Sequence, residues 1–294
     1  MNNNFSKKYG PYFYILPSMV FLSLIFVFPM IQNLVKSFYR TSFDGGKSVF
    51  YGFNNYIFLL TKDFLTRAAA WHNVKLLMLI PMLLVLSIFF SVILSGKIRG
   101  AKIYQTFMFA PYIISIVVVG VVFSRMLRFD GIINLMLTKI GLGMLAKDWF
   151  GRTQYALYAI IVVILWRELP FGIILFSAGI RNIDESIYEA AKIDGANWLQ
   201  TVFHITIPQL KGIINFYVIY NIMMVFAWMF TYVFVMTKGG PGNSTTILEL
   251  QIYNLAFKKY QVGMASALSI LLFITIFIFI YFQFRFRTSL LEER

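Results

Sequence analysis

Cysteine is absent from this 294-residue chain and charge is scarce, with Asp, Glu, Lys and Arg making up only 13% of it. Without cysteine there is no disulfide framework and no thiol chemistry. That absence does not locate the protein, because a bacterial inner-membrane protein has no need of disulfides. The two histidines, His72 and His204, stand alone without metal-ligand spacing, so no metal site is predicted. No G-x-x-x-x-G-K-[ST] phosphate loop occurs, so no nucleotide cofactor is expected on this chain. No internal repeat or low-complexity tract is evident, and nothing points to catalysis.

Apolar sequence is what the chain has in excess. Hydrophobic residues make up 59% of it, and a mean hydropathy of +0.74 is too high for an ordinary soluble domain. Six apolar runs of about membrane-spanning length occur, near 12–35, 74–94, 107–123, 156–176, 213–236 and 264–284. Charges bound them: Lys7 and Lys8 before the first, Lys97 and Arg99 after the second, Arg285 and Arg287 after the last. The first run is too long for a cleavable signal, contains Pro17 and Pro29, and lacks a small-residue cleavage site. The net charge of +14 is spread over many short connections, not clustered as nucleic-acid binding requires, so it reads as basic loops at a lipid bilayer.

Five of the eight prolines (Pro17, Pro29, Pro81, Pro111 and Pro170) fall in or beside these runs and predict kinks. Orientation is less clearly written, because the long connections at 36–73, 124–155 and 237–262 also contain Lys and Arg. Weighting charges close to helix ends in short loops favours a cytoplasmic N-terminus.

Residues 180–212 form a polar island between the fourth and fifth runs, far longer than a turn needs. Asn182 or Asp184 can cap a first short helix with Glu185 in its first turn, and Gly195 supplies a sharp turn. A second helix, about 197–204, is expected to stop before Pro208. Ala190, Ala191 and Ala196 near the elbow allow close approach of a partner, and Glu189 can accept a bidentate bond from a partner arginine. An amphipathic helix lying on the membrane is the alternative, but it favours a basic polar face. Here Asp184, Glu185, Glu189 and Asp194 stand against Arg181, Lys192 and Lys211.

The pattern Glu189-Ala190-Ala191, then Asp194-Gly195-Ala196, Phe203, Ile205 and Pro208 resembles the coupling loop of permease subunits in binding-protein-dependent ABC importers. The run from Val235 through Gly239-Gly-Pro-Gly-Asn-Ser-Thr245, with Ile252-Tyr253, Ala256-Phe257 and Gly263-x-Ala265-Ser-Ala267, is similar to the carbohydrate-uptake branch. Within it the likeness is to the type of the larger maltose subunit and its glycerol-phosphate and lactose relatives. One departure is Gly212, where many relatives have a second proline.

The resemblance implies an all-α integral membrane protein: a six-helix permease bundle with a cytoplasmic coupling-helix loop, type I importer-like. It also implies both termini in the cytoplasm of a bacterial or archaeal cell. The implied partners are a second, homologous permease subunit, two cytoplasmic ATPase subunits holding ATP-Mg, and an extracellular or periplasmic sugar-binding protein.

The fourth run contains Trp166-Arg167-Glu168-Leu-Pro170-Phe171. Two mid-span charges cost about 2.5–3.5 kcal/mol each on insertion scales, and the apolar residues around them return roughly as much, so the charged face should point into the bundle. Adjacent positions lie about 100° apart, so Arg167 and Glu168 need not pair. Either each is satisfied by a neighbouring helix or partner, or both line a pathway. The resemblance places Trp166, Arg167, Glu168 and Phe171 along a sugar path, with Tyr220, Asn221, Met224 and Trp228 from the fifth run. An ion-gradient-driven carrier using Arg167 and Glu168 is the main rival, and it leaves the island unexplained. An ABC permease for a non-sugar solute shares the island but not the Gly-Gly-Pro-Gly loop.

Overall fold

The computed structural model describes residues 3–40, 48–95 and 101–292, with side chains at 12–40, 48–95 and 107–285. Lys97 and Arg99 lie outside the described residues. Among the described residues, five helices are long and apolar enough to cross a membrane: Tyr12–Lys36, Phe64–Ser95, Thr153–Arg181, Lys211–Trp228 and Val262–Arg285. Phe107–Ile113 and Ile116–Met126 form a bent pair of apolar helices, set at 103° to each other. All six apolar runs are thus helical, but the third is broken where a single span was expected. Pro111 lies inside its first half, and Ser115 opens the second half in an extended conformation. The second span starts at Phe64, ten residues before the run predicted at 74–94.

Proline acts here in a way that kink reasoning missed. The Ser23–Val27 segment is a π-helical turn, closed by Phe28 N–H bonding to the Ser23 carbonyl, and Pro29 follows at the start of the next helix. The same device recurs at Val202–Thr206, where Ile207 N–H bonds to the Val202 carbonyl and Pro208 follows. Proline cannot donate to the carbonyl four residues back, and its ring crowds that carbonyl. Shifting the preceding bond to i→i−5 widens the turn just there, so the chain stays helical. The second island helix therefore runs through Pro208 and does not end before it.

Two compact units are distinguished: Met1–Asp63 with Ile252–Phe273, and Phe64–Gln251 with Ile274–Arg294. In the first unit, Tyr39–Arg40 and Val49–Phe50 form a two-residue antiparallel ladder, the one departure from all-α among the described residues. Asn55 holds the neighbouring turn, donating to the Ser37 carbonyl at 2.8 Å and the Tyr39 carbonyl at 3.1 Å. Gly263 lies so close to the Tyr39 carbonyl that any side chain would collide with it. That contact explains the glycine of the Gly263-x-Ala265-Ser-Ala267 stretch, whose residues 265–267 are all buried.

In the second unit the fourth span is the core, with 56% of its apolar window buried against 28% for the second span and 33% for the fifth. It packs along the Leu79–Ser95 helix. Ser91 Oγ bonds to the Ile173 carbonyl at 2.8 Å, and Ser87 Oγ meets Tyr217 Oη at 3.2 Å beside Gly172. Small and hydroxylated residues at this crossing let the backbones approach, which is how helices associate where lipid removes the hydrophobic drive.

Candidate functional site

The island is built by local rules. Asp184 caps the Glu185–Ile193 helix, its carboxylate accepting from Ser186 N–H at 3.0 Å, and that bond holds the carboxyl below its usual range. The helix ends in a Schellman turn: Gly195 N–H bonds to the Lys192 carbonyl and Ala196 N–H to the Ala191 carbonyl, with Gly195 at φ +77°. Asn197 and Gln200 then form a reciprocal capping box that starts the second helix at Trp198. Tyr188 Oη meets Thr206 Oγ1 at 3.2 Å, fixing the angle between the two arms.

Of the residues assigned to the coupling loop, Glu189, Ala190, Asp194, Gly195, Phe203 and Pro208 are exposed, while Ala196 and Ile205 are half-buried. Ala191 is buried against its own chain and does not face outward, because it lies about 200° round the helix from Glu189. Of the apolar part of this surface the sequence reading named Phe203 and Ile205 and missed Ile193, Trp198 and Leu199. Ile193 is 86% exposed one helical turn beyond Glu189, and Trp198, Leu199 and Phe203 are each more than half exposed. Large apolar side chains inside a polar island were the available signal. A shallow depression lined by Asp194, Gly195, Ala196, Gln200, His204 and Ile205 lies at the elbow.

Within the membrane, an aromatic row crosses three helices. Tyr112 stacks on Phe171 at 5.4 Å, Phe171 lies 4.7 Å from Tyr220, and Tyr220 meets Trp228 edge-on at 5.5 Å. The Tyr112 and Tyr220 hydroxyls are 3.4 Å apart. Phe171, Tyr220 and Trp228 are thus brought together as expected, and Tyr112, which the sequence reading missed, completes the row. Its position just after Pro111 was the only hint.

The other assigned pathway residues are not members of the row. Trp166 packs on Phe123 at 5.1 Å, about 140° round the helix from Phe171. Asn221 and Met224 are buried in the protein, and Asn221 donates to the Tyr217 carbonyl at 2.8 Å. Arg167 and Glu168 do pair with each other, because a long guanidinium stem wraps across the 100° that separates their Cα atoms. Tyr232 Oη donates to Glu168 at 2.5 Å.

The loop after the fifth span is a tight knot, not a simple turn. Lys238, Gly239, Gly242 and Asn243 all have positive φ, and a side chain at Gly239 would strike Thr246. Thr245 Oγ1 bonds to the Gly240 carbonyl at 2.9 Å. His72 and Asn73 hold the next stretch. His72 Nδ1 donates to the Thr246 carbonyl at 2.7 Å, which fixes that tautomer because a carbonyl only accepts. Asn73 accepts from Leu248 N–H at 2.9 Å and donates to the Val225 carbonyl at 3.1 Å, within the π turn Met224–Trp228.

Glu249 lies against Asn73 at 3.4 Å, and burial pushes its carboxyl up to about 7. Between its ordinary 4.5 and about 7 the folded chain holds a proton that the unfolded chain has released, so stability falls as pH rises through that window. Glu249→Gln is expected to remove this contribution, so that the thermal midpoint in detergent falls less than the parent's between about pH 5 and pH 7. A parent-like slope in the variant would assign the fall to another group.

Apolar helices of membrane-spanning length, with an exposed and capped polar elbow between two of them, are the build of an integral membrane protein. Residues 73–289 match the family described as binding-protein-dependent transport system inner membrane component, and the chain belongs to it. The chain is 32% identical to the multiple sugar-binding transport system permease protein of Streptococcus mutans, with 91% of each chain covered. It is 31% identical to the lactose transport system permease protein of Rhizobium radiobacter, covering 83% of this chain and 82% of that one. Its fold matches a chain of the bacterial alginate ABC transporter solved with an alginate pentasaccharide-bound periplasmic protein, with a TM-score of 0.82, 22% identity, and 95% and 94% covered.

Proposed function

We propose that this chain is one of two homologous permease subunits of an ATP-driven importer of sugars in a bacterial or archaeal cytoplasmic membrane, with both termini cytoplasmic. ATP-Mg is held by two partner ATPase subunits, and sugar is delivered by an extracellular or periplasmic binding protein. Closure of the ATPases moves the island, the spans rock outward to accept sugar, and the return stroke releases it inward. The observation that supports this reading is the elbow at Gly195, with Glu189 and Ile193 both exposed one helical turn apart.

The row Tyr112–Phe171–Tyr220–Trp228 supplies aromatic faces for sugar rings and two tyrosine hydroxyls for their oxygens. The relatives named for multiple sugars and for lactose support a saccharide as cargo.

The test is uptake of labelled sugars by right-side-out vesicles supplied with the binding protein. Uptake should require internal ATP and survive collapse of the ion gradients. Uptake that is lost with the gradient and indifferent to ATP would instead establish the ion-driven carrier.

A further inference from the structure

Arg167 sits at the midpoint of the Thr153–Arg181 helix and is directed at the break in the third span. Its Nη1 pairs with Glu168, and Nη2 donates to the Tyr112 carbonyl at 3.1 Å. Nε and Nη2 both reach the Ile114 carbonyl at 3.4 Å. These two carbonyls belong to the last turn of Phe107–Ile113 and the residue after it, where helix geometry leaves acceptors without an N–H partner. In hydrocarbon no water replaces the missing donor, so a broken helix is tolerated where neighbouring groups satisfy the freed carbonyls. A guanidinium is suited to this, since its donors are fixed in one plane and can serve two carbonyls and a carboxylate together. The same guanidinium lies over the Tyr112 ring, 5.0 Å from its centre. Glu168 is 5% exposed and is anchored in turn by Tyr232, and the Arg167 side chain beside it is 12% exposed.

We propose that Arg167 is a positioning residue of the translocation path: it holds the break at residues 114–115 and thereby seats Tyr112 in the aromatic row, without binding cargo itself. This rests on reading the row as the sugar path. Two features separate the role from that of a substrate anchor. Four of the five N–H donors of Arg167 go to main-chain carbonyls and Glu168, and its charge is answered by Glu168. The resemblance placed both charges along the sugar path, while the sequence alone also allowed each to be satisfied by a neighbouring helix; the geometry makes them a brace.

The absence of cysteine allows a direct test in the assembled importer, with any cysteines of the partner chains replaced. Spin labels at Phe107→Cys and Val122→Cys, both on exposed positions, report the distance across the bend. The parent is expected to give one narrow distribution, and Arg167→Met a broadened or longer one. Arg167→Lys, which keeps the charge but loses the fork, should fall between them, and it carries the measurement if Arg167→Met does not assemble. An unchanged distance in the variant that assembles overturns the brace, whatever uptake does.

Uptake per assembled complex then tests action through Tyr112. Arg167→Lys and Tyr112→Ala should each lower it by about ten- to a hundredfold, the scale of a lost hydrogen bond to a charged group. The double variant should be no worse than the poorer single one. Multiplied defects would overturn the positioning role and make Arg167 a cargo contact. Full uptake in Tyr112→Ala with an altered bend in Arg167→Lys would leave the brace standing and remove the row from the sugar path.

Discussion

Glu189→Lys is expected to abolish ATP-driven uptake, lowering it by at least about a hundredfold, while the chain still inserts and pairs with its permease partner. Glu189 is exposed on the first island helix, one turn from Ile193, which is 86% exposed. Among the described residues the Glu189 side chain makes no hydrogen bond or ion pair, so the substitution is expected to leave the fold intact. What changes is the docking surface, where an acceptor for a partner arginine becomes an ammonium facing it. Breaking a desolvated charge pair across an interface costs about 2–5 kcal/mol, and each 1.4 kcal/mol is a factor of ten in affinity. Glu189→Gln keeps an acceptor without the charge and should lose less. Binding of the ATPase subunits and vesicle uptake are the two measurements, and wild-type values of both in Glu189→Lys would contradict the docking role.

The other large effect is expected inside the membrane. Gly172→Leu should eliminate folded subunit from the membrane fraction, because even a Cβ at this position meets Ser87 Oγ, and it comes within 2.7 Å of Ser87 Cβ. Tyr217 Oη closes the third side at 2.5 Å. The helix cannot retreat easily, since Ser91 Oγ ties the Ile173 carbonyl to the second span. Forcing extra volume into a well-packed core costs typically about 1–3 kcal/mol, and a whole isobutyl group at a helix crossing lies at or beyond the upper end. Gly212→Ala is the matched control: its Cβ meets nothing within 4 Å, so the yield should stay within about twofold of the parent. Thermal midpoint and detergent-extractable yield decide the matter. Equal yields for the two variants would show that the second and fourth spans are not packed as described.

Hydropathy recorded which segments prefer lipid, and that was enough to place six apolar helical runs and to point the Arg167–Glu168 face inward. It does not record which group satisfies which. The break at 114–115 lies inside an unbroken apolar run, because its solution depends on a guanidinium 53 residues away. Asn73 was equally silent: one amide near the start of an apolar run gave no sign that it serves Val225, Leu248 and Glu249 together.

The island was the most legible part, since Asp184, Gly195 and Asn197 act through bonds to their immediate neighbours. Pro208 misled for a physical reason. The rule that a helix ends before proline assumes i→i−4 bonding, and the π turn at Val202–Thr206 evades that assumption. Trp166 and Phe171 are five residues apart on one helix, and only the positions of Phe123 and Tyr112 decide that they face different neighbours.

The central claim is that this chain is one of the two membrane subunits of a larger machine whose motor docks on residues 185–209. The most direct measurement is purification of the chain from its native membrane in mild detergent, with the co-purifying proteins identified by mass. The account predicts a second homologous permease and an ATPase in a one-to-one-to-two ratio, with a sugar-binding protein captured when ATP is trapped. Recovery of the chain alone or as a homodimer, even after crosslinking at the island, would contradict it.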